Sequence, residues 1–456
     1  MTDHIDLHDP HFPSLHRVHR RGWINDPNGI LRTEDGRWHV FFQHNPASTR
    51  HEDILWGHMS SEDLVVWREE PHGPIPRPGE VDQDGCWSGI GLLDRAGDGD
   101  AVPTLVYSGV DGVENQLARV VVSRLDGSGT RLLAPGRVVA EVPQIDGLFG
   151  VRDPFVFEAG GRRWAIQGAG ARDGDRRVPT LPLYACDDLD RWEHVGSLLD
   201  GDDPVAVEHA PADLWECPQL VPVGRRWVLL LSRWLHPDHA EVTTIQVDYL
   251  VGDLVGGGGG TPRFVPTAGG RVDLGPDFYA PQAVVDPEAE RVLLWGWSWE
   301  GRERTQAQTE AQGWAGVLTF PRELSLDGDR LIARPARELT ALRGAPLVLE
   351  LGDAGERRLD LSTPARAEIH LTGAAQVEIV AADGTVSHVA ALDAGPATVF
   401  VDGSLLELLP EQSEPSTHRL YPQQGEVVRV RGALESAWVL RLPADDRRRD
   451  TLEETS

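Results

Sequence analysis

Lysine is absent from this 456-residue chain, and all 43 of its basic residues are arginine. Coding bias in the source genome explains that pattern without any functional demand for guanidinium. Cysteine is nearly absent too. Cys86, Cys186 and Cys217 are odd in number and widely spaced, which fits neither a disulfide framework nor a zinc site. Positive charge is in deficit: 43 basic residues against 72 acidic give a net charge of −29, which cannot supply the basic surface that tracks a phosphate backbone. Nucleic acid is therefore excluded as a partner. No apolar run reaches the roughly 18 residues of a membrane span, and the opening MTDHIDLHDPHFP has no apolar centre of the kind a secretory leader needs. A cytoplasmic protein without a membrane partner is the expectation. Long helical periodicity is also scarce. The best stretch, Arg334 to Leu342 with Gly344 behind it, predicts one short helix between two domains.

What the chain has in abundance is short strands. Runs rich in Val, Ile, Leu, Trp and Phe are bounded by turn signals such as EDGR at Glu34 to Arg37, EAGGRR at Glu158 to Arg163 and VGRR at Val223 to Arg226. At intervals of about 60 residues a polar motif opens such a hairpin. The five are NDPNGIL from Asn25, WSGIGLL from Trp87, RDPFVFE from Arg152, ECPQLVP from Glu216 and APQAVVD from Ala280. A supersecondary unit repeated with its polar end at constant phase is how a radial fold gathers distant residues at one axis. With 40% hydrophobic residues the chain can bury a sizeable core, and disorder is expected only at its ends. Glycines 256 to 260 carry no functional reading.

Three of the polar ends carry a carboxylate: Asp26, Asp153 and Glu216. Paired carboxyl groups suit glycoside cleavage, in which one acts as acid and the other as nucleophile or base. Pro27 and the Asn28-Gly29 pair predict a turn that pins Asp26 from behind, as a nucleophile requires. Glu216 lies among Trp215, Cys217 and Pro218, an apolar setting expected to raise its proton affinity. Asp153 follows Arg152, and pairing with that guanidinium would keep it ionised to accept a substrate hydroxyl. Taken singly, DPNG is a common turn and Arg152-Asp153 a common structural ion pair. The shared phase is what favours a site. The histidines His4, His8, His11, His16 and His19 have no helical or finger spacing and read as surface residues, so no metal is expected.

WINDPNG, QHNP at Gln43 to Pro46, WGH at Trp56 to His58, SEDLVVW from Ser61, WSG, RDP, ECP and DFYAPQ at Asp277 to Gln282 together closely resemble glycoside hydrolase family 32. The resemblance covers nearly the whole chain. It implies an all-β architecture: a five-bladed β-propeller over residues 1–337, a linker at 338–345 and a C-terminal β-sandwich over 346–443, with a frayed tail at 444–456. Alternation in AEIHL, QVEIV, TVFVDGSLLELL and EVVRVR agrees with the sandwich. It further implies a β-fructosidase acting on sucrose or fructo-oligosaccharides with retention, and no cofactor. Asp26 would be nucleophile, Glu216 acid/base and Asp153 transition-state stabiliser. Asn25, Gln43, Trp56, Trp87, Ser88, Arg152, Asp277 and Trp297 would line the fructose pocket. His51 takes a position where family members often carry Trp, and either lines the pocket or sits on a surface loop. A fructosyltransferase, an inverting glycosidase on a related scaffold and a non-catalytic sugar-binding propeller are the alternatives. Oligomeric state is not legible.

Overall fold

The computed structural model describes residues 9–95, 100–112, 116–236, 246–256, 260–286, 288–301, 304–352 and 356–442. The alternating runs become strands, and five consecutive sheets open with Gly22–Arg32, Gly85–Asp94, Leu148–Ala159, Leu214–Val223 and Tyr279–Asp286. These are the motif segments. Each touches the next, and the fifth touches the first, in a closed ring. The result is a five-bladed β-propeller with the motif strands innermost. Ring closure is made by the chain that follows the fifth blade's second strand. Trp314 pairs in parallel with Gly22 of the first blade, and Leu318 pairs antiparallel with Trp297 of the fifth.

All five inner strands are interrupted at the same place. Pairing with the second strand slips between Ile24 and Pro27, between Trp87 and Gly89, opposite Arg152 to Phe155, between Glu216 and Gln219, and between Tyr279 and Gln282. Each slip is a β-bulge, which leaves a residue unpaired and re-aims its side chain. Proline is the cause in four blades: Pro27, Pro154, Pro218 and Pro281 have no N–H for the ladder. Asp153, Cys217 and Ala280, each just before its proline, sit at φ of 58°, 46° and 44°. Left-handed backbone at non-glycine residues costs roughly 1–3 kcal/mol each and persists only where the surroundings impose it. The DPNG segment is therefore a bulged strand and not the predicted turn. Gly29, at φ 55°, lets that strand press on Phe41 and Trp56, where a Cβ would come within 2.8 and 2.9 Å of their rings.

The predicted helix over Arg334–Leu342 is replaced by the end of the fifth blade's outermost strand, Arg330–Pro335, and a 3₁₀ turn after it, Arg337–Leu342. Pro335 holds Arg334 extended, which excludes a helix there. The C-terminal strands form one nine-stranded antiparallel sheet whose long members, Arg366–Val380 and Val427–Leu440, run through both its halves. AEIHL and QVEIV are thus one strand. Both halves share an apolar core that includes Leu361, Ile369, Val377, Val399, Leu408 and Val430. Phe400, Leu409 and Leu440 pack with Ile24, Phe42, Trp295 and Phe320 of the propeller.

A buried polar seam runs beside that contact. The fully buried Arg322 guanidinium reaches Glu407 at 2.6 Å and Asp273 at 2.8 Å. His16 bridges Asp402 at 2.9 Å and Glu407 at 3.1 Å. Burial alone would depress the imidazole, but its hydrogen bonds to both carboxylates raise it. Arg366 also reaches Asp402, so a protonated His16 balances three carboxylates with three cations. His16 and His19 are therefore buried, contrary to the surface reading, and His11 is half-buried. His16 and His11 meet partners several hundred residues away, Asp402, Glu407 and Pro422, whereas His19 packs on the nearby Phe42 and His44. His4, His8 and the tail from 443 lie outside the described residues, as do residues 257–259 of the glycine run. All three cysteines are free and buried, and no described helix is long and apolar enough to cross a membrane.

Candidate active site

The five bulges supply two rings of side chains at one end of the propeller axis. The position just before the proline, or before Gly89 in the second blade, gives Asp26, Ser88, Asp153, Cys217 and Ala280. The position one earlier gives Asn25, Trp87, Arg152, Glu216 and Tyr279.

Asp26 is ringed by donors. Asn25 Nδ2 reaches Oδ1 at 3.0 Å; Ser88 Oγ at 2.5 Å and Gln43 Nε2 at 3.4 Å reach Oδ2, with the Cys217 thiol 3.6 Å away. Burial raises its proton affinity, the Ser88 and Asn25 donors lower it, and the charge of Glu216 raises it again. Such donors favour the ionised, acceptor-only form. Asp153 takes the backbone N–H of Cys217 at 2.9 Å. Burial pushes its carboxyl up to about 7 against the opposing charge of Arg152. The expected Arg152–Asp153 pair is not formed, because the bulge, with Asp153 at φ 58°, re-aims its carboxylate onto the Cys217 N–H. Arg152 instead donates to Glu216 Oε1 at 3.0 Å.

Glu216 accordingly does not sit in the apolar setting that its sequence neighbours predict. Its other oxygen, Oε2, lies 2.6 Å from the Tyr279 hydroxyl, which is also 2.7 Å from the carbonyl oxygen of Arg233. Tyr279 has one proton and faces two acceptors. Burial raises its phenol well above the ordinary range, so the hydroxyl stays protonated. Glu216 is thus held by a guanidinium on one oxygen and, on the other, by a hydroxyl that it shares with a backbone carbonyl.

Most of the predicted pocket residues converge here. Asn25, Gln43, Ser88 and Arg152 bond directly to a carboxylate. Trp23, His51, Trp87 and Trp297 form an aromatic rim: Trp23 lies 6.1 Å from His51 and 5.7 Å from Trp297, and His51 lies 6.3 Å from Trp87, between ring centroids. His51 is on the rim, with Nε2 3.0 Å from Gln43 Oε1. Two expectations fail. Trp56 has no exposed surface and packs on Phe41 and Tyr107, its indole N–H donating to the carbonyl of Trp87. It supports the rim from the core. Asp277 accepts the backbone N–H of Arg419 at 2.7 Å and joins the propeller to the C-terminal sheet; burial pushes its carboxyl up to about 6. Its DFYAPQ motif enters the site through Tyr279 instead.

Tyr279, Cys217 and Trp23 were not singled out from the sequence. The first two stand at the phase of the other site residues relative to proline, so that alignment of the repeats would have found them. Trp23 is fixed only by its contacts, including a 2.6 Å bond to Asn25. The mouth also holds two buried donors without a partner, Arg152 Nη1 and Trp297 Nε1. Buried N–H groups are ordinarily satisfied, so both suit a bound hydroxyl.

Carboxylates in unlike surroundings, facing one axial funnel with donors ready for hydroxyls, define a propeller glycosidase. The chain belongs to glycosyl hydrolases family 32, whose N-terminal domain model matches residues 16–335. It is 33% identical over 354 residues to a sucrose-6-phosphate hydrolase of Klebsiella pneumoniae, covering 74% of this chain and 70% of that one. It is 31% identical over 344 residues to a raffinose invertase of Escherichia coli, covering 73% of this chain and 66% of that one. The fold matches a Bombyx mori β-fructofuranosidase mutant in complex with sucrose, with a TM-score of 0.73 and 24% identity over 95% of both chains.

Proposed function

We propose that this chain is a retaining β-fructofuranosidase that releases terminal fructose from sucrose or short fructo-oligosaccharides. The observation that carries the reading is the contrast between two carboxyl groups at one funnel. Asp26 is ringed by the uncharged donors of Asn25, Gln43 and Ser88, whereas Glu216 is held between the Arg152 guanidinium and the Tyr279 hydroxyl. Asp26 attacks the anomeric C2 while Glu216 gives its proton to the leaving oxygen; the C2–O bond breaks and a fructosyl ester forms on Asp26. Glu216, now ionised beside Arg152, takes a proton from water, which attacks C2 and frees Asp26. Asp153, titrating near neutrality, hydrogen-bonds the ring hydroxyls. Positive charge growing on the sugar favours its anion, so the contact strengthens in the transition state. Arg152 Nη1 and Trp297 Nε1 are further donors to the sugar.

The test is the product formed from sucrose, followed by NMR. The expected result is β-fructofuranose as the first-formed anomer, with glucose in equal amount. Initial α-fructose would rule out double displacement, and higher oligosaccharides in place of free fructose would make the chain a fructosyltransferase.

The domain plan belongs to the same reading: catalytic propeller 1–337, linker 338–345, sandwich 346–443 and tail 444–456, in a cytoplasmic enzyme. The two halves of the C-terminal sheet, sharing one core, support a sandwich. Truncation after Gly344 would strip Arg322 and His16 of Glu407 and Asp402. Breaking buried pairs costs about 3–5 kcal/mol, so the fragment is expected to be insoluble or to melt far below the full chain. A soluble and fully active fragment would refute a structural role for the C-terminal unit.

A further inference from the structure

His51 lies on the loop that joins Trp38–Asn45 to Leu55–Ser61, and its hydrogen bond to Gln43 fixes more than its own ring. Gln43 Oε1 only accepts, so the imidazole Nε2 at 3.0 Å carries the hydrogen. The same oxygen receives Asn25 Nδ2 at 2.8 Å. These two donors hold the amide in one orientation, with Gln43 Nε2 toward Ser88 Oγ at 2.6 Å and Asp26 Oδ2 at 3.4 Å. Ser88, having accepted an N–H, is left to donate its own hydrogen along the 2.5 Å contact to Asp26. Every hydrogen in the line points toward the carboxylate. Were the amide reversed, Gln43 would set an N–H against two N–H groups, and Ser88 would lose its donor.

We propose that His51 is a positioning residue for the nucleophile: by donating to Gln43 it locks the amide–hydroxyl relay that aims the Asp26 carboxylate. The proposal rests on the reading of Asp26 as nucleophile. A phenyl ring could fill the space between Trp23 and Trp87 but could not donate. The ring is open to solvent at the rim, but crowding within the funnel strips part of its hydration and lowers its proton affinity, opposed by the charges of Asp26 and Glu216, so it donates as a neutral ring. Asp26 itself faces Glu216, Asp153, the Cys217 thiol and His51, with Arg152 bound to Glu216.

The experiment compares His51→Phe, His51→Gln and Asp26→Ala on an aryl β-fructofuranoside, measuring kcat/KM across pH. His51→Phe is expected to lose about 10-fold, because a reacting group held loosely forfeits orientation. Its acid limb should move to higher pH, since Asp26 with weaker donors takes up a proton more readily. His51→Gln keeps an N–H donor and should restore both rate and limb to within about 3-fold of wild type. Wild-type behaviour in His51→Phe, or an equal loss in His51→Gln, overturns the positioning role in favour of packing. Substantial turnover in Asp26→Ala would instead overturn the nucleophile assignment. An inactive Asp26→Ala beside a wild-type-like His51→Phe overturns His51 alone.

Discussion

At their N-terminal ends the five inner strands turn carboxylates, amides, a guanidinium and a phenol toward one funnel. A few residues further along, the same strands place Ile30, Ile90, Leu92, Phe155, Leu220 and Ala283 around an apolar cavity of about 370 Å³ at the opposite end of the axis. Between the two ends lies a polar girdle. Gln282 accepts the backbone N–H of Ile30 at 2.8 Å and donates to the carbonyl of Gly89 at 2.6 Å, while Gln219 accepts the N–H of Ala283. The two ends differ in backbone before they differ in side chains. Past the bulge four of the inner strands return to regular pairing, and the first does so after one more slip between Asn28 and Leu31; beyond that their inward residues pack as in any sheet. At the bulge the pairing fails, two neighbouring residues both meet the axis, and five blades yield ten positions in place of five. Dense chemistry at the mouth is thus a consequence of broken ladders, and the intact ladders below hold it in place.

The largest effect expected on this contrast is at the mouth. Asp26→Ala should lower kcat on sucrose by about 10⁴-fold with the melting temperature little changed, as steady-state assays beside thermal unfolding would show. Near-normal turnover would remove the mouth's claim to the chemistry. Glu216→Gln should cost about 10²- to 10⁴-fold on sucrose and far less on an aryl fructoside, whose leaving group needs little protonation; equal losses on both would count against an acid. The acid limb of kcat/KM sharpens the same point. A nucleophile must be ionised, and burial raises the Asp26 carboxyl above its ordinary value. Activity should therefore fall as pH drops, on a limb above the usual aspartate value of about 4. A limb at or below that value would contradict the reading.

Effects should shrink toward the base. Gln282→Leu leaves the Ile30 N–H and the Gly89 carbonyl unpaired, which costs about 1–3 kcal/mol for each buried group. Because Ile30 and Gly89 adjoin the segments that carry Asp26 and Ser88, kcat should fall as well; a stable, fully active variant would show that the girdle does not support the mouth. Ala283→Val, at the base itself, should change stability by about 1 kcal/mol or less and leave kcat unaltered. A marked loss of activity there would mean that the two ends are not separate.

The repeat alone determined much of this protein. Motif strands at constant phase, each followed by a hairpin, specified five blades and put Asp26, Asp153 and Glu216 at one end of the axis, because strand periodicity and turn chemistry are local properties. Proline before a predicted central strand even marked the bulges, although DPNG read as a turn. Pairing was decided only in three dimensions. Arg152 neighbours Asp153 in sequence and Glu216 in space; Tyr279 reaches Glu216 from the next blade; Asp277 and Trp56 belong to interfaces and core behind the site. His16 is buried and its proton affinity raised because Asp402 and Glu407, nearly four hundred residues away, enclose it. The sequence tells which side chains a strand presents, whereas proton affinities and partners follow from distance and burial, which exist only once the ring of blades has closed.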